Sequence, residues 1–329
     1  MRRIMLWVMV FVAIFAGIAQ ARTYKVGMIH WIAYSPLNVA DVKGMWKNLG
    51  VDVEVVNFGS NQELNGALEN KRIDIALDML GSWVGMYQDG IPLTIIGETD
   101  WSNGGDKIIA KNDVDMSSIK GSTIGVYLDK PSVTYFLSQY LGANSLKLSD
   151  VKVIEVEPEA MADNFIAGRF KVIVNYDPQA LRSEREGNGK VVATSATYPG
   201  CIPEGFVART DTLQSIPKED LSKIFKGWVQ GVRWVKDPAN WDEYRTILNT
   251  KTFEGEKPYS DQDLKEMINS VSIHDAKTQL GRNRDGGGLQ GYLKNLGEFL
   301  ADSGLLKKDF KPEDIFDNKV IVEVLQNEQ

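Results

Sequence analysis

Apolar and polar positions along this chain form short alternating runs separated by helical ones. Residues 24–29 (YKVGMI) read as a strand, and a helical pattern runs from Pro36 to Leu49 with Ser35 placed to cap it. Strands are predicted at 51–56, 73–77 and 93–96, with helices at 62–69 and 82–88. Residues 113–121 are polar and read as a connection. A second series follows, with strands at 123–127, 151–156 and 172–175, helices at 133–141 and 160–167, and a further helix opened by Asp177-Pro178. Near Phe206 the pattern returns to a strand and then turns helical. Leu221, Ile224, Phe225, Trp228, Val229, Val232 and Val235 recur at helical spacing and predict a core-facing helix. Later helices are predicted at 241–248, 261–268 and 289–300.

Strands alternating with helices predict βαβ units and mainly parallel sheets. Two such series and a returning segment predict two α/β lobes on a hinge. The expected division is residues 22–112 plus 205–329 in one lobe and 113–204 in the other. Ligands of open α/β sheets bind beyond the carboxyl ends of the strands. Those ends carry Trp31, Tyr34, Trp83, Trp101, Tyr127, Tyr135 and Tyr176, together with Asp78, Asp100, Asp106, Asp129 and Asp177. Aromatic walls combined with carboxylates suit an ammonium or amidine-like group. Ser35, Ser82 and Ser132 stand at predicted helix starts, where free backbone N–H groups suit an anion. A zwitterion would use both.

The first 21 residues change the setting. Arg2 and Arg3 precede an uncharged apolar run from Ile4 to Ile18, and Ala19-Gln20-Ala21 follows as a small-x-small site. This predicts a cleaved secretory signal, an exported protein beginning near Arg22, and a periplasmic location. The whole chain has 329 residues and a net charge of −7; without Arg2 and Arg3 the balance is 35 basic against 44 acidic. That acidity disfavours a nucleic-acid partner. Cys201 is the single cysteine, so the expected monomer is held together by its cores without an internal disulfide.

Several motifs are discounted. Gly286-Gly287-Gly288-Leu289-Gln290-Gly291 matches G-x-G-x-x-G, but a polar segment precedes it instead of a strand, so it reads as a loop capping a helix. His30 and His274 lie far apart and no zinc spacing appears. No G-x-S-x-G elbow is present. No cofactor, metal or catalytic group is predicted.

Taken together, several segments resemble periplasmic solute-binding proteins for nitrate, aliphatic sulfonates, taurine and thiamine-precursor pyrimidines. Residues 31–37 (WIAYSPL) are similar to that family's first strand–helix junction, and residues 70–76 (NKRIDIA) to its G-x-x-D-x-A/G strand. Residues 89–93 (DGIPL), 119–126 (IKGSTIGV) and 176–178 (YDP) are similar to its x-G-x-P entry, its L-K-G-K-x-I-G-V segment and its W-D-P element. The resemblance implies a type II two-lobe binding fold with an inter-lobe cleft, serving an ABC importer whose permease lies in the inner membrane. It implies ligand contacts from Trp31, Tyr34 and Ser35, from Asp78 and Ser82, from Ser132, Thr134 and Tyr135, and from Tyr176 and Asp177. The chain departs from the anion-binding members at Asp129-Lys130-Pro131-Ser132, where Pro131 has no N–H to donate and Asp129 repels an anion. The cysteine-rich motif of the pyrimidine-binding members is absent. The expected ligand is therefore a small nitrogen-containing organic solute: taurine-like, an amine or pyrimidine-like. The alternatives are a ligand-sensing partner of a membrane receptor and an enzyme of pyrimidine-precursor synthesis on the same fold.

Overall fold

The computed structural model describes residues 22–127 and 130–328. The expected signal segment and Asp129 lie outside these residues. In chain order the strands are β1 (Thr23–Ile29), β2 (Asp52–Phe58), β3 (Ile75–Met79), β4 (Leu93–Ser102), β5 (Asp106–Lys111), β6 (Thr123–Val126), β7 (Lys152–Glu155), β8 (Val172–Tyr176), β9 (Gly189–Thr194), β10 (Pro203–Arg209) and β11 (Val271–Ile273). They form a six-stranded sheet in the order β11-β4-β10-β3-β1-β2 and a five-stranded sheet in the order β7-β6-β8-β5-β9. Helices cover both sheets, giving the two-lobed α/β architecture that the alternation predicts.

Each sheet has a parallel nucleus with antiparallel strands beside it. β1 runs parallel to β2 and β3, whereas β10 runs antiparallel to β3 and β4. In the second sheet β6 runs parallel to β7 and β8, and β5 runs antiparallel to β8 and β9. The chain leaves the first sheet after Ser102 and returns to it at Pro203.

The first crossing corrects the expected boundary at residues 112 and 113, because β5 already belongs to the second sheet. The apolar run in β5 is only Ile108-Ile109-Ala110, too short to stand out between Lys107 and Lys111. Tertiary partners absorb those two charges: Lys107 pairs with Asp177, and Lys111 donates to the Gly187 carbonyl. β4 is likewise longer than its apolar core, continuing through Glu98, Thr99 and Asp100, all three buried.

The first lobe packs around the helix Lys218–Val235, which buries Leu221, Ile224, Phe225, Trp228, Val229 and Val232 as the spacing predicts. Phe206 of β10 meets Phe225 and Trp228 edge-on at 5.6 and 5.4 Å. The G-x-G-x-x-G segment follows a helix, Ala276–Asn283, and opens another, Gly288–Asp302. A Cβ on Gly287 would stand 2.6 Å from the carbonyl oxygens of Arg282 and Arg284, so close backbone packing explains that glycine. Tyr292 and Phe299 of the Gly288–Asp302 helix reach across to Tyr135 of the second lobe at 5.9 and 5.3 Å.

Candidate functional site

The lobes meet over a small cavity lined by Ile29, Trp31, Tyr34, Asp78, Met79, Asp106, Tyr127, Tyr176 and Glu204. The free space is about 10 Å³, room for roughly one water molecule. Contacts across the cleft hold it shut. Trp31 meets Tyr176 edge-on at 5.7 Å, and the Tyr127 hydroxyl oxygen lies 3.4 Å from Met79 Sδ. Ser82 and Ser132 bring their hydroxyls to 3.5 Å. A larger groove of about 660 Å³ shares Ile29 and Tyr176 with this cavity and is lined by Asn61, Glu157, Glu159 and Glu256.

Local structure places each wall. Trp31 precedes the turn Ile32–Tyr34, which leads directly into the helix Ser35–Val42 and turns two aromatic rings into the cleft. Gly105 lies against the Trp31 indole at the crossing between sheets, where a Cβ would overlap the ring. Tyr127 follows β6, Tyr176 ends β8, and their rings stand edge-on at 4.9 Å.

Three carboxyl groups face this enclosure. Asp78 accepts from Asn61 Nδ2 at 2.6 Å, from the Met79 amide at 2.8 Å and from the Tyr34 hydroxyl at 3.3 Å. Asp106 accepts from the Tyr127 hydroxyl. Glu204 accepts from Trp31 Nε1 at 2.7 Å. All their donors are neutral. Two nearby cations among the described residues are committed elsewhere: Lys107 Nζ holds both oxygens of Asp177 at 2.7 and 2.8 Å, and Arg282 holds Glu98 at 2.6 and 3.0 Å.

The electrostatic consequence is direct. Burial pushes Asp78 up to about 6, against the hydrogen bonds from Met79, Asn61 and Tyr34. Burial also pushes Asp106 up to about 6, against those from Ser102 and Tyr127. Glu204 is held well above the usual carboxylate range by burial, then by the charge of Asp100 beside it. The cleft is thus a buried, aromatic-walled box rich in carboxyl groups, none of which forms an ion pair with a lysine or arginine among the described residues. Such a box attracts a cation and disfavours an anion.

The structure gathers Trp31, Tyr34, Asp78, Tyr127 and Tyr176 of the sequence-predicted residues at this cavity. The others stand elsewhere. Asp177 is neutralised by Lys107 and also accepts from the Leu181 amide, so it is a structural ion pair and helix cap. Asp100 lies behind Glu204 and accepts from Thr99 Oγ1 at 2.7 Å. Trp101 packs edge-on against His274 at 4.9 Å, with Arg282 over its ring. Trp83 is fully buried in the first lobe's core. Ser35 bonds to the Ile32 carbonyl and the Tyr244 hydroxyl, both at 2.6 Å. Ser82, Ser132 and Tyr135 make lobe-to-lobe contacts, and Thr134 lines a separate inter-lobe groove beside Pro131 and Lys307.

Sequence reasoning passed over Glu204 and did not select Asp106 as a site residue. Both sit at the amino ends of antiparallel strands. Register explains why they arrive at the cleft: Glu204 pairs with Met79 at the end of β3, and Asp106 pairs with Tyr176 at the end of β8. A rule that inspects only carboxyl ends of strands misses Glu204 and meets Asp106 only as the last residue of the segment that follows β4. Among the described residues, no group of three or more His, Cys, Asp or Glu could hold a metal ion.

Comparison with known proteins agrees with this architecture. A family model described as the NMT1-like family matches residues 18–249. A Bacillus subtilis (strain 168) protein, provisionally described as binding protein YtlA, is 28% identical over 230 residues. That match covers 65% of this chain and 66% of the relative, so the chain spans about two thirds of the relative's length. Among solved structures, the ligand-binding component of an ABC-type import system from Staphylococcus aureus, with zinc bound, aligns with a TM-score of 0.72 at 14% identity, covering 92% of this chain and 99% of that one. The alkanesulfonate-binding protein SsuA from Xanthomonas axonopodis pv. citri, bound to MOPS, aligns with a TM-score of 0.71 at 14% identity, covering 90% and 98%. At such identities the likeness is one of fold.

Proposed function

The chain belongs to the NMT1-like family, and from that premise we propose that it is the solute-binding component of an ABC importer that captures a small organic cation between its lobes. The observation that carries the ligand class is the enclosure of Asp78, Asp106 and Glu204 by four aromatic rings, with no lysine or arginine paired to them among the described residues. An ammonium or amidine group supplies the missing charge and stacks on Trp31, Tyr34, Tyr127 or Tyr176. Nitrate or a simple sulfonate would instead bring further negative charge beside buried carboxylates.

The protein works by closing. The cavity has no room for a solute while Trp31 meets Tyr176, so the lobes part at the two crossings, admit the ligand and close on it. The importer reading draws support from the two ABC-import and sulfonate-binding structures of the same fold. An exported protein delivering its solute to a membrane permease fits that reading, and no helix among the described residues is long and apolar enough to cross a membrane. The function requires binding and release, with no bond made or broken.

A thermal-shift screen, followed by native mass spectrometry of protein purified from its own periplasm, tests the reading. Amines, amidines and quaternary ammonium compounds should raise the melting temperature in a saturable way, and the co-purified solute should carry a cationic nitrogen. A tightest ligand that is nitrate or an uncharged-chain sulfonate would overturn the cation assignment.

A further inference from the structure

Glu204 does not face the cleft alone. In the β10–β4 ladder it stands opposite Asp100, and both side chains are buried. Trp31 Nε1 donates to Glu204 Oε2, and Thr99 Oγ1 donates to Asp100 Oδ2. Asp100 Oδ1 is buried with no partner among the described residues. Two ionised carboxylates in this buried position would repel each other, and neither is paired with a lysine or arginine among the described residues. One shared proton removes the repulsion and supplies a donor where neutral side chains supply too few.

We propose that Asp100 is a positioning residue acting through Glu204: the two carboxyls share one proton in the empty cleft, and a cationic group arriving against Glu204 displaces it. This rests on the cation reading above. In the exchange an O–H bond of the pair breaks, the proton passes to solvent, and the ligand's charge takes its place. The net charge of the enclosure is unchanged, which is why the site selects cations: an anion or neutral solute cannot make the exchange.

The surrounding groups allow this assignment. Asp78 on β3 and Asp106 on β5 face Glu204 with negative charge and favour retention of the proton. Tyr34 and Tyr127 are held well above their ordinary range by burial, then by nearby carboxylates, so neither supplies the proton. Behind the pair, His274 lies toward Asp100, but its Nε2 is engaged by Glu98 at 3.1 Å, and Arg282 completes that separate network. Lys107 is bound to Asp177.

Isothermal titration with benzamidine hydrochloride at pH 8 tests the proposal in two buffers of different ionisation enthalpy. At that pH Asp78 and Asp106, pushed up to about 6, are already ionised and release nothing. The wild type should release protons on binding, up to one per bound benzamidine, and its dissociation constant should fall by up to about tenfold per pH unit while the pair remains protonated. Asp100→Asn should bind benzamidine with proton release close to zero and a flattened pH profile. Benzamidine binding to the wild type without proton release would overturn the shared proton and leave the cation reading standing, and this arm needs no variant to fold. Saturable binding of nitrate or methanesulfonate, with no saturable binding of benzamidine, would overturn both.

Discussion

The replacement Asp106→Asn separates stability from binding in a way that the cleft's electrostatics make quantitative. Burial raises Asp106 from its ordinary value of 3.8 to about 6, so folding disfavours its ionised form. That shift of about two pH units corresponds to about 3 kcal/mol at neutral pH, at about 1.4 kcal/mol per unit. The sign follows from the direction. The native state bears no such cost below about pH 4, where the group is protonated whether folded or not, and bears all of it once pH exceeds about 6. Asparagine keeps an acceptor for the Tyr127 hydroxyl and removes the charge. Allowing about 1 kcal/mol for a weakened hydrogen bond, the variant should gain about 2 kcal/mol at pH 7.5. In calorimetry this is a rise in Tm of about 3 °C for the ligand-free protein. The same variant should bind a cationic ligand about two decades more weakly, because the carboxylate that would meet the charge is gone. A variant that melts lower than wild type at pH 7.5 would refute the claim that this carboxyl lacks a counter-ion. A stabilisation equally large at pH 4.5 would show that its origin is not ionic.

Two further substitutions probe the same assignment from outside the cavity. Asp177→Asn should leave cation affinity within about threefold of wild type while lowering denaturant stability by a few kcal/mol, because it strips the partner from Lys107, whose side chain is only 11% exposed. Gly105→Ala places a methyl against the Trp31 indole, which Glu204 and Tyr176 hold in place; affinity should fall by about tenfold or more with altered tryptophan fluorescence, and unchanged affinity would argue that Trp31 is not a wall of the ligand site.

Periodicity made the architecture legible because each lobe has a single helix-covered sheet. The parallel strands and the helix Lys218–Val235 carry long, regular apolar patterns, and burial in the fold follows them. Trp31, Tyr34, Asp78, Tyr127 and Tyr176 were legible as cleft candidates for a topological reason: each follows or ends a parallel strand. The remaining site depended on pairings between residues far apart in sequence. β5 has too few apolar residues to mark itself, and its flanking lysines are neutralised by Asp177 and the Gly187 carbonyl, partners about 70 positions away. Asp177 looked like the best receptor carboxylate until Lys107 folded onto it. Glu204 and Asp106 reach the cleft from the amino ends of antiparallel strands; a rule that inspects carboxyl ends passes over Glu204 and meets Asp106 only as the end of the segment after β4. Residue types along the chain therefore established a two-lobed binding fold with aromatic and acidic strand ends. Which carboxylates stay without a counter-ion was decided only by the folded structure, because charge compensation acts through space while the sequence records only order.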